Sequence, residues 1–426
     1  MNKKTWYTVF MDGTHSINGT HSYIEELEQP QSGSTVAVGM SGGVDSTLTA
    51  VLLKEKGCKV IGVTMSSWNN DLPLPRSLTG VRLSCYGADE SIDIEQCKTF
   101  CAQRGIEYHV IDVRDAYRTF VLDYFKTEYR SARTPNPCVH CNRFVKFGAL
   151  LDGIRKQGID FNYFCTGHYA ALVRPRIPIE HLYRIYAAGT DASVSDTAAE
   201  SLAVSGAQNR PVMLSCAYDR HKDQAYFLHR IPSPVLESVR FPLGSFTKAQ
   251  TFEMARERKL GCADRSESQD FIPNEYFDIL FSDKKSVCGD IVGLDGEKLG
   301  THRGIEHYTV GQRRGLGVSA NRPLYVHSID AERNRIVLAG EDDLLSDSLE
   351  ADSWVWAGNY VPRHEFYGEV KIRLATPPAA ALITPLENGV YRISFKKPQR
   401  AIAPGQSAVV YLNGIIAGGG IISRAL

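Results

Sequence analysis

Apolar and polar positions follow two different rhythms along this chain. Residues 35–40 form a short β-rich run that ends in a glycine-rich turn, and 44–56 then carry apolar residues at helical spacing. The alternation continues with a strand over 59–65, a helix over 92–104, a strand over 107–113, helices over 117–129 and 143–156, and a strand over 163–167. Strands alternating with helices predict a parallel sheet covered on both faces. Order resumes over 219–228, and 248–259 reads as a helix. Beyond about residue 287 the rhythm changes. Residues 289–304 are rich in turn formers, and short β-patterned runs follow at 324–330, 335–339, 368–374, 390–395 and 407–412.

The predicted fold class is therefore α/β, with a parallel-sheet domain followed by a small central domain and a C-terminal β-barrel. The expected boundaries are an N-terminal extension over 1–32, the α/β domain over 33–286, the central domain over 287–352 and the barrel over 353–426. Residues 175–218 break the α/β pattern. With their small-residue tract at 189–207, they are read as an insertion or long loop.

Composition narrows the function. The 426 residues carry 48 Lys and Arg against 48 Asp and Glu, which excludes a uniformly basic nucleic-acid coat but leaves room for local basic faces. Two such faces exist. Residues 121–150 hold five Lys/Arg and two Asp/Glu, and residues 351–426 hold eight Lys/Arg and four Asp/Glu. No run approaches the roughly 18 apolar residues of a membrane helix, and no signal peptide is visible, so a cytoplasmic protein without a membrane partner is expected. Ten cysteines at irregular spacing do not form a secreted disulfide framework; closely spaced ones read as catalytic or metal-binding.

The sharpest motif is Ser41-Gly42-Gly43-Val44-Asp45-Ser46, between a strand and a helix. Glycines let the backbone turn tightly, and the helix start behind them offers free N–H groups and a positive dipole end to an anion. Ser41 and Ser46 supply hydroxyl donors, and Asp45 supplies a carboxylate for magnesium or for orienting pyrophosphate. No lysine follows the glycines, unlike the loop of enzymes that transfer the terminal phosphate. The motif resembles the PP-loop of ATP pyrophosphatases, which cleave between the α- and β-phosphates.

The second motif is the stretch from Arg133 to Phe147, with Cys138 and Cys141 three apart at a helix start. The helix dipole and the nearby Arg133, Arg143 and Lys146 favour thiolates there. Together the two motifs, with Thr166-Gly-His-Tyr-Ala170, Lys222-Asp-Gln-Ala-Tyr-Phe-Leu228, Phe241-Pro-Leu-Gly244, Glu267-Ser-Gln-Asp270, the block from Tyr308 to Gly317 and Ala403-Pro-Gly-Gln406, resemble the tRNA-specific 2-thiouridylases of the MnmA family.

That resemblance implies ATP-dependent adenylylation of the C2 oxygen of the wobble uridine in tRNA, followed by sulfur transfer, with release of AMP and pyrophosphate. It implies ATP contacts from Gly39, Met40, Ser41, Gly42, Gly43, Val44, Asp45, Ser46, Met65 and Gly167, with Mg2+ accompanying the nucleotide. Asn136, Pro137 and Cys138 would border the target base, and Cys141 stands where the family has its nucleophilic cysteine. Lys222, Asp223, Gln224, Arg373 and Leu374 would contact tRNA. A cysteine desulfurase or sulfur-relay protein would supply sulfur.

Three departures bear on the chemistry. Cys138 replaces an Asp common in the family, Ser268-Gln-Asp-Phe-Ile-Pro273 lacks the family's second sulfur-handling cysteine, and Arg373-Leu374 replaces an Arg-Tyr pair. Two routes for sulfur stay open. One is an iron–sulfur cluster on Cys138, Cys141 and Cys85, whose loop follows the second strand. The other is a thiol pair in which Cys141 carries a persulfide and Cys138 resolves it. Cys58, Cys97, Cys101 and Cys165 read as core, and His168 as either a nucleotide contact or a structural histidine. Two rival functions remain: a PP-loop ligase that adenylylates a small metabolite, and a catalytically silent tRNA-binding protein.

Overall fold

In the computed structural model, the structure describes residues 23–74, 86–187, 209–261, 271–272 and 276–426. Five parallel strands form one sheet, in the order Glu107–Asp112, Lys59–Ser66, Thr35–Gly39, Tyr163–Cys165 and Val239–Arg240. Chain order reverses direction at Thr35–Gly39, so the crevice outside its carboxyl end is the place where such sheets take ligands. The helix Val44–Glu55 follows directly. Nine of its residues are buried, from Val44 to Leu53, because it lies between the sheet and the helix Lys248–Glu257.

The segments expected as two plain helices are longer and differently wound. Residues 114–130 and 137–156 are continuous helical runs whose middles, Arg118–Asp123 and Cys141–Ala149, are π-helical. Such wide turns are rare and tend to mark functional sites. Gly148 eases the second one, since a Cβ there would lie 3.1 Å from the Arg143 carbonyl oxygen.

The stretch expected to be turn-rich pairs instead. Gly289–Val292 and Lys298–His302 form a four-stranded sheet with Arg335–Ala339 and Tyr325–Asp330, closed over Ile291, Val326, Ile336 and Leu338. The C-terminal strands Ile415–Ala425, Leu345–Trp356, Tyr391–Arg400, Ala379–Pro385, Phe366–Lys371 and Ser407–Leu412 form a closed antiparallel barrel, because the last pairs back with the first.

The expectation of an insertion or loop near 175–218 needs correction at its ends. Met213–Ser215 pairs with the barrel strand Ile415–Ala425 and with Ala171–Pro175, which in turn pairs with Ile24–Glu26 from the N-terminal extension. Ile179–Ala187 is a helix, and its Ile179, Leu182 and Tyr183 enter the barrel's core cluster. The apolar residues on either side of the small-residue tract thus have a core to bury in, and it belongs to the barrel. The tract itself, 189–207, lies outside the described residues.

A second link ties the barrel to the cysteine segment. Thr134 donates its backbone N–H to Pro404 O at 2.7 Å, and the Gln406 side-chain amide donates to the carbonyls of Thr134 and Pro135 at 3.2 and 2.9 Å. Gly405, at φ +91°, makes this approach possible: a Cβ would sit 2.8 and 2.9 Å from the Thr134 backbone O and N. Gly405→Ala combines a strained backbone with a clash against backbone atoms. It is expected to cost about 1–3 kcal/mol of stability, read as a lowered urea midpoint at unchanged m-value.

Candidate functional site

Two half-sites stand out: the turn after the strand Thr35–Gly39 and the start of the 137–156 helical run. At the first, Gly39 ends its strand, Gly42 adopts φ +76° and Gly43 leads into the helix in extended geometry. The Ser41 N–H donates to Ser46 Oγ at 3.1 Å, and the two hydroxyls lie 3.2 Å apart. Loop and helix start are therefore tied together while the glycines keep the backbone bare. Met40, Gly42 and Thr47 border a cleft of about 640 Å³ whose far wall is the helix Glu90–Gln103.

Asp45 is not among the residues that line that cleft. Lys248 Nζ lies 2.8 Å from each of its carboxylate oxygens, and Tyr169 Oη donates to Oδ1 at 3.0 Å. Neither Lys248 nor Tyr169 was singled out in the sequence for chemistry. Their signals were the positions just after Phe241-Pro-Leu-Gly244 and within Thr166-Gly-His-Tyr-Ala170. Gly167 forms the adjoining wall: a Cβ there would fall 2.7 Å from the Asp45 carbonyl carbon and 2.8 Å from the Ser46 nitrogen. Met65 is half-buried near the end of the next strand. Beyond it, the buried Glu90 carboxylate accepts from the Ser67 and Trp68 N–H groups at 2.9 Å and fixes that loop.

The second half-site is the start of the 137–156 run. Asn136 caps it, accepting from the Val139 N–H at 3.3 Å, and Pro137 takes the first position. Cys138 is half-buried and Cys141 buried; three apart on a helix, they share a face. The expected cations divide. Arg133 is neutralised by Glu128, with Nε 2.8 Å from a carboxylate oxygen. Arg143 lies over the Phe144 ring and donates to the Arg230 carbonyl at 3.0 Å. The buried Arg230 donates to Ser353 O at 2.8 Å, and burial with the Arg143 charge pushes its pKa down to about 10.

The two half-sites pack on either side of the strand Thr35–Gly39: Cys141, Val145 and Phe147 cluster with Ala37, Ile61, Val63 and Phe164, while Met40 and Val44 of the loop cluster with Val36, Val38 and Leu48. His168, one residue past Gly167, rests its ring 6.0 Å from that of Phe147 and bonds Thr166 Oγ1 at 2.7 Å. Burial, then the Lys146 ammonium, drives its pKa far below the usual value, so it is held neutral.

The other sequence candidates divide. Lys222 is exposed, but Asp223 accepts from the Ala217 N–H at 2.8 Å, and Gln224 exchanges hydrogen bonds with the Tyr169 backbone at 2.9 and 2.8 Å. Arg373 is half-buried and donates to Val310 O at 3.0 Å and to Ala401 O, joining the central domain to the barrel, while Leu374 is exposed. Cys85 and the Glu267–Asp270 block lie outside the described residues. Among the described residues no three His, Cys, Asp or Glu side chains are grouped to hold a metal. Two thiolates are fewer ligands than a cluster takes, so the described residues do not by themselves fit an iron–sulfur cluster.

His140 stacks on Tyr124 with ring centroids 3.5 Å apart, and burial followed by the Arg230 charge lowers its pKa to about 4. Unfolded, it titrates near the usual value of about 6.5. The folded chain thus binds fewer protons between these values. Its stabilising share is complete above about pH 6.5 and is lost as pH falls toward 4. Between pH 7 and pH 5 that share amounts to roughly 2 kcal/mol. His140→Phe keeps the stack and should flatten the fall of the urea midpoint over this range by that amount.

Three family models match the chain: a tRNA methyl transferase HUP domain over residues 34–273, a tRNA methyl transferase PRC-barrel domain over 280–340, and an aminomethyltransferase beta-barrel domain over 346–422. The tRNA-specific 2-thiouridylase MnmA of Endomicrobium trichonymphae is 37% identical over 91% of this chain and 98% of its own. The protein of the same name from Roseiflexus sp. strain RS-1 is 38% identical over 91% of this chain and 99% of its own. Among solved structures, the U34-tRNA thiolase NcsA from Methanococcus maripaludis with its 4Fe-4S cluster overlaps 59% of this chain and 63% of that one. Its identity is 16% and its TM-score 0.31, too slight a likeness to carry an argument. No helix among the described residues is long and apolar enough to cross a membrane. With three matched domains in order and relatives above 35% identity along nearly the whole length, the chain belongs to the MnmA family of tRNA-specific 2-thiouridylases.

Proposed function

We propose that this protein is an ATP-dependent tRNA 2-thiouridylase that adenylylates the wobble uridine at C2 and then replaces that oxygen with sulfur. The observation that carries the reading is the pairing of a lysine-free phosphate loop with a Cys-x-x-Cys helix start packed against the same parallel sheet. A carbonyl oxygen is a poor leaving group, and attaching AMP makes it a good one. The uridine O2 attacks the α-phosphorus, the bond between the α-phosphorus and its bridging oxygen breaks, and pyrophosphate leaves. In this reading the amides of Ser41–Ser46 and the two serine hydroxyls hold the phosphates, and Met65 and Gly167 shape the nucleotide's bed. Mg2+ would travel with ATP, bound chiefly by phosphate oxygens, with Asp45 as the loop's carboxylate.

The thiol pair accounts for sulfur transfer with groups the described chain holds. Cys141 takes a persulfide from a cysteine desulfurase or relay protein. Its terminal sulfur attacks C2 and AMP leaves with the old oxygen. Cys138 thiolate then attacks the Cys141 sulfur, releasing 2-thiouridine and leaving a Cys138–Cys141 disulfide that a dithiol reductant reopens. Asn136 and Pro137 border the base in this scheme. Lys222 and Leu374 are offered outward to tRNA, while Asp223, Gln224 and Arg373 act by shaping those surfaces.

A small-metabolite ligase would need no Cys-x-x-Cys, and a silent binding protein would need no intact phosphate loop. Incubation with unmodified tRNA, ATP, Mg2+ and a persulfide source should give 2-thiouridine by nucleoside mass analysis. Cys141→Ala should lower the yield by at least about 100-fold, given what loss of a nucleophile costs. Undiminished 2-thiouridine from Cys141→Ala would refute the thiol scheme, and none from the wild type would refute the function.

A further inference from the structure

The phosphate loop contains no cation of its own between Gly39 and Ser46, yet a buried one is delivered to it from two hundred residues away. We propose that Lys248 is the cation of the nucleotide site, holding Asp45 in place and facing the β- and γ-phosphates of ATP. The assignment rests on the ATP reading given above and adds to it the residue that recognises the pyrophosphate moiety.

Four observations carry it. Lys248 Nζ is bidentate on the one carboxylate in the loop, 2.8 Å from both oxygens, with only 9% of its side chain exposed against 27% for Asp45. Asp45 stands in the first helical turn, where a bound phosphate meets the free N–H groups, so an ammonium on its carboxylate is within Coulomb range of that phosphate.

The position is also an unfavourable one for a cation. Lys248 is the first residue of its helix, where the dipole repels positive charge. That start is nevertheless fixed firmly. Thr247 and Gln250 form a reciprocal capping box, and Asp219 Oδ2 accepts from the Lys248 N–H at 2.9 Å. A lysine serving helix stability alone belongs at the other end.

The ammonium is finally aimed by its surroundings. It lies 4.8 Å from the Phe252 ring centroid and 5.4 Å from that of Tyr169, whose hydroxyl bonds both Asp45 and Thr251. Gly167 closes the remaining side against Asp45. Side chain and target are thus held before any ligand arrives, which is how a recognition group lowers the ordering cost of binding.

Calorimetric titration of the full chain with ATP–Mg2+, pyrophosphate–Mg2+ and AMP separates this role from a structural one. AMP lacks the phosphates that Lys248 faces. In Lys248→Met the dissociation constants for ATP and pyrophosphate should rise at least tenfold while that for AMP stays within twofold. Lys248→Arg keeps a cation on Asp45 and preserves the fold; it should recover part of the ATP affinity with AMP again unchanged. Equal weakening of all three ligands in either variant, or no change in any, overturns the assignment. Failure of the wild type to bind ATP overturns the nucleotide reading itself and the assignment with it.

Discussion

The structure depends on one close approach. The backbone at Gly167 lies so near Asp45 and Ser46 that no side chain fits between them. This contact joins the ends of two adjacent parallel strands, Thr35–Gly39 and Tyr163–Cys165, at the point where strand order reverses. It sets the phosphate loop against the loop carrying His168, and His168 in turn meets Phe147 of the cysteine helix. Loop, wall and helix are thus packed against one sheet. Under the proposed function, activation and sulfur attack need their two sets of groups in fixed relation, and the packing around Gly167 would offer one.

The remaining domains act on the same body from outside. The barrel's Ala403–Gln406 turn grips the backbone just ahead of Asn136, and Arg373 fastens the central domain to the barrel. Arg373 is half-buried and donates to one main-chain carbonyl in each of the two domains, so it ties the joint between them.

Much of this was legible in the sequence. The strand–loop–helix frame of 35–56 and the cysteine pair could be read directly, because backbone geometry and local chemistry there are dictated by adjacent residues. The strand Ile415–Ala425 was not. At its Gly418-Gly419-Gly420, Cβ atoms would fall 2.4 Å from the Trp356 ring, 2.1 Å from His229 and 2.6 Å from Trp354. Those glycines make room for large rings, a constraint visible only once distant segments meet. The same holds for Lys248, which the pattern placed on a helix but whose partner lies 203 positions away. Residues 24–26 and 213–215 escaped notice as strands because each is short and pairs only with distant chain.

The central claim is that ATP is spent by joining its α-phosphate to the tRNA base, on a loop built to release pyrophosphate. Trapping with Cys141→Ala tests this directly, since that variant can activate the base but cannot complete sulfur transfer. With ATP labelled at the α-phosphate, label should become attached to tRNA. With ATP labelled at the γ-phosphate, all label should leave as pyrophosphate. Label from the γ-position on tRNA, or its release as orthophosphate with ADP, would contradict the account.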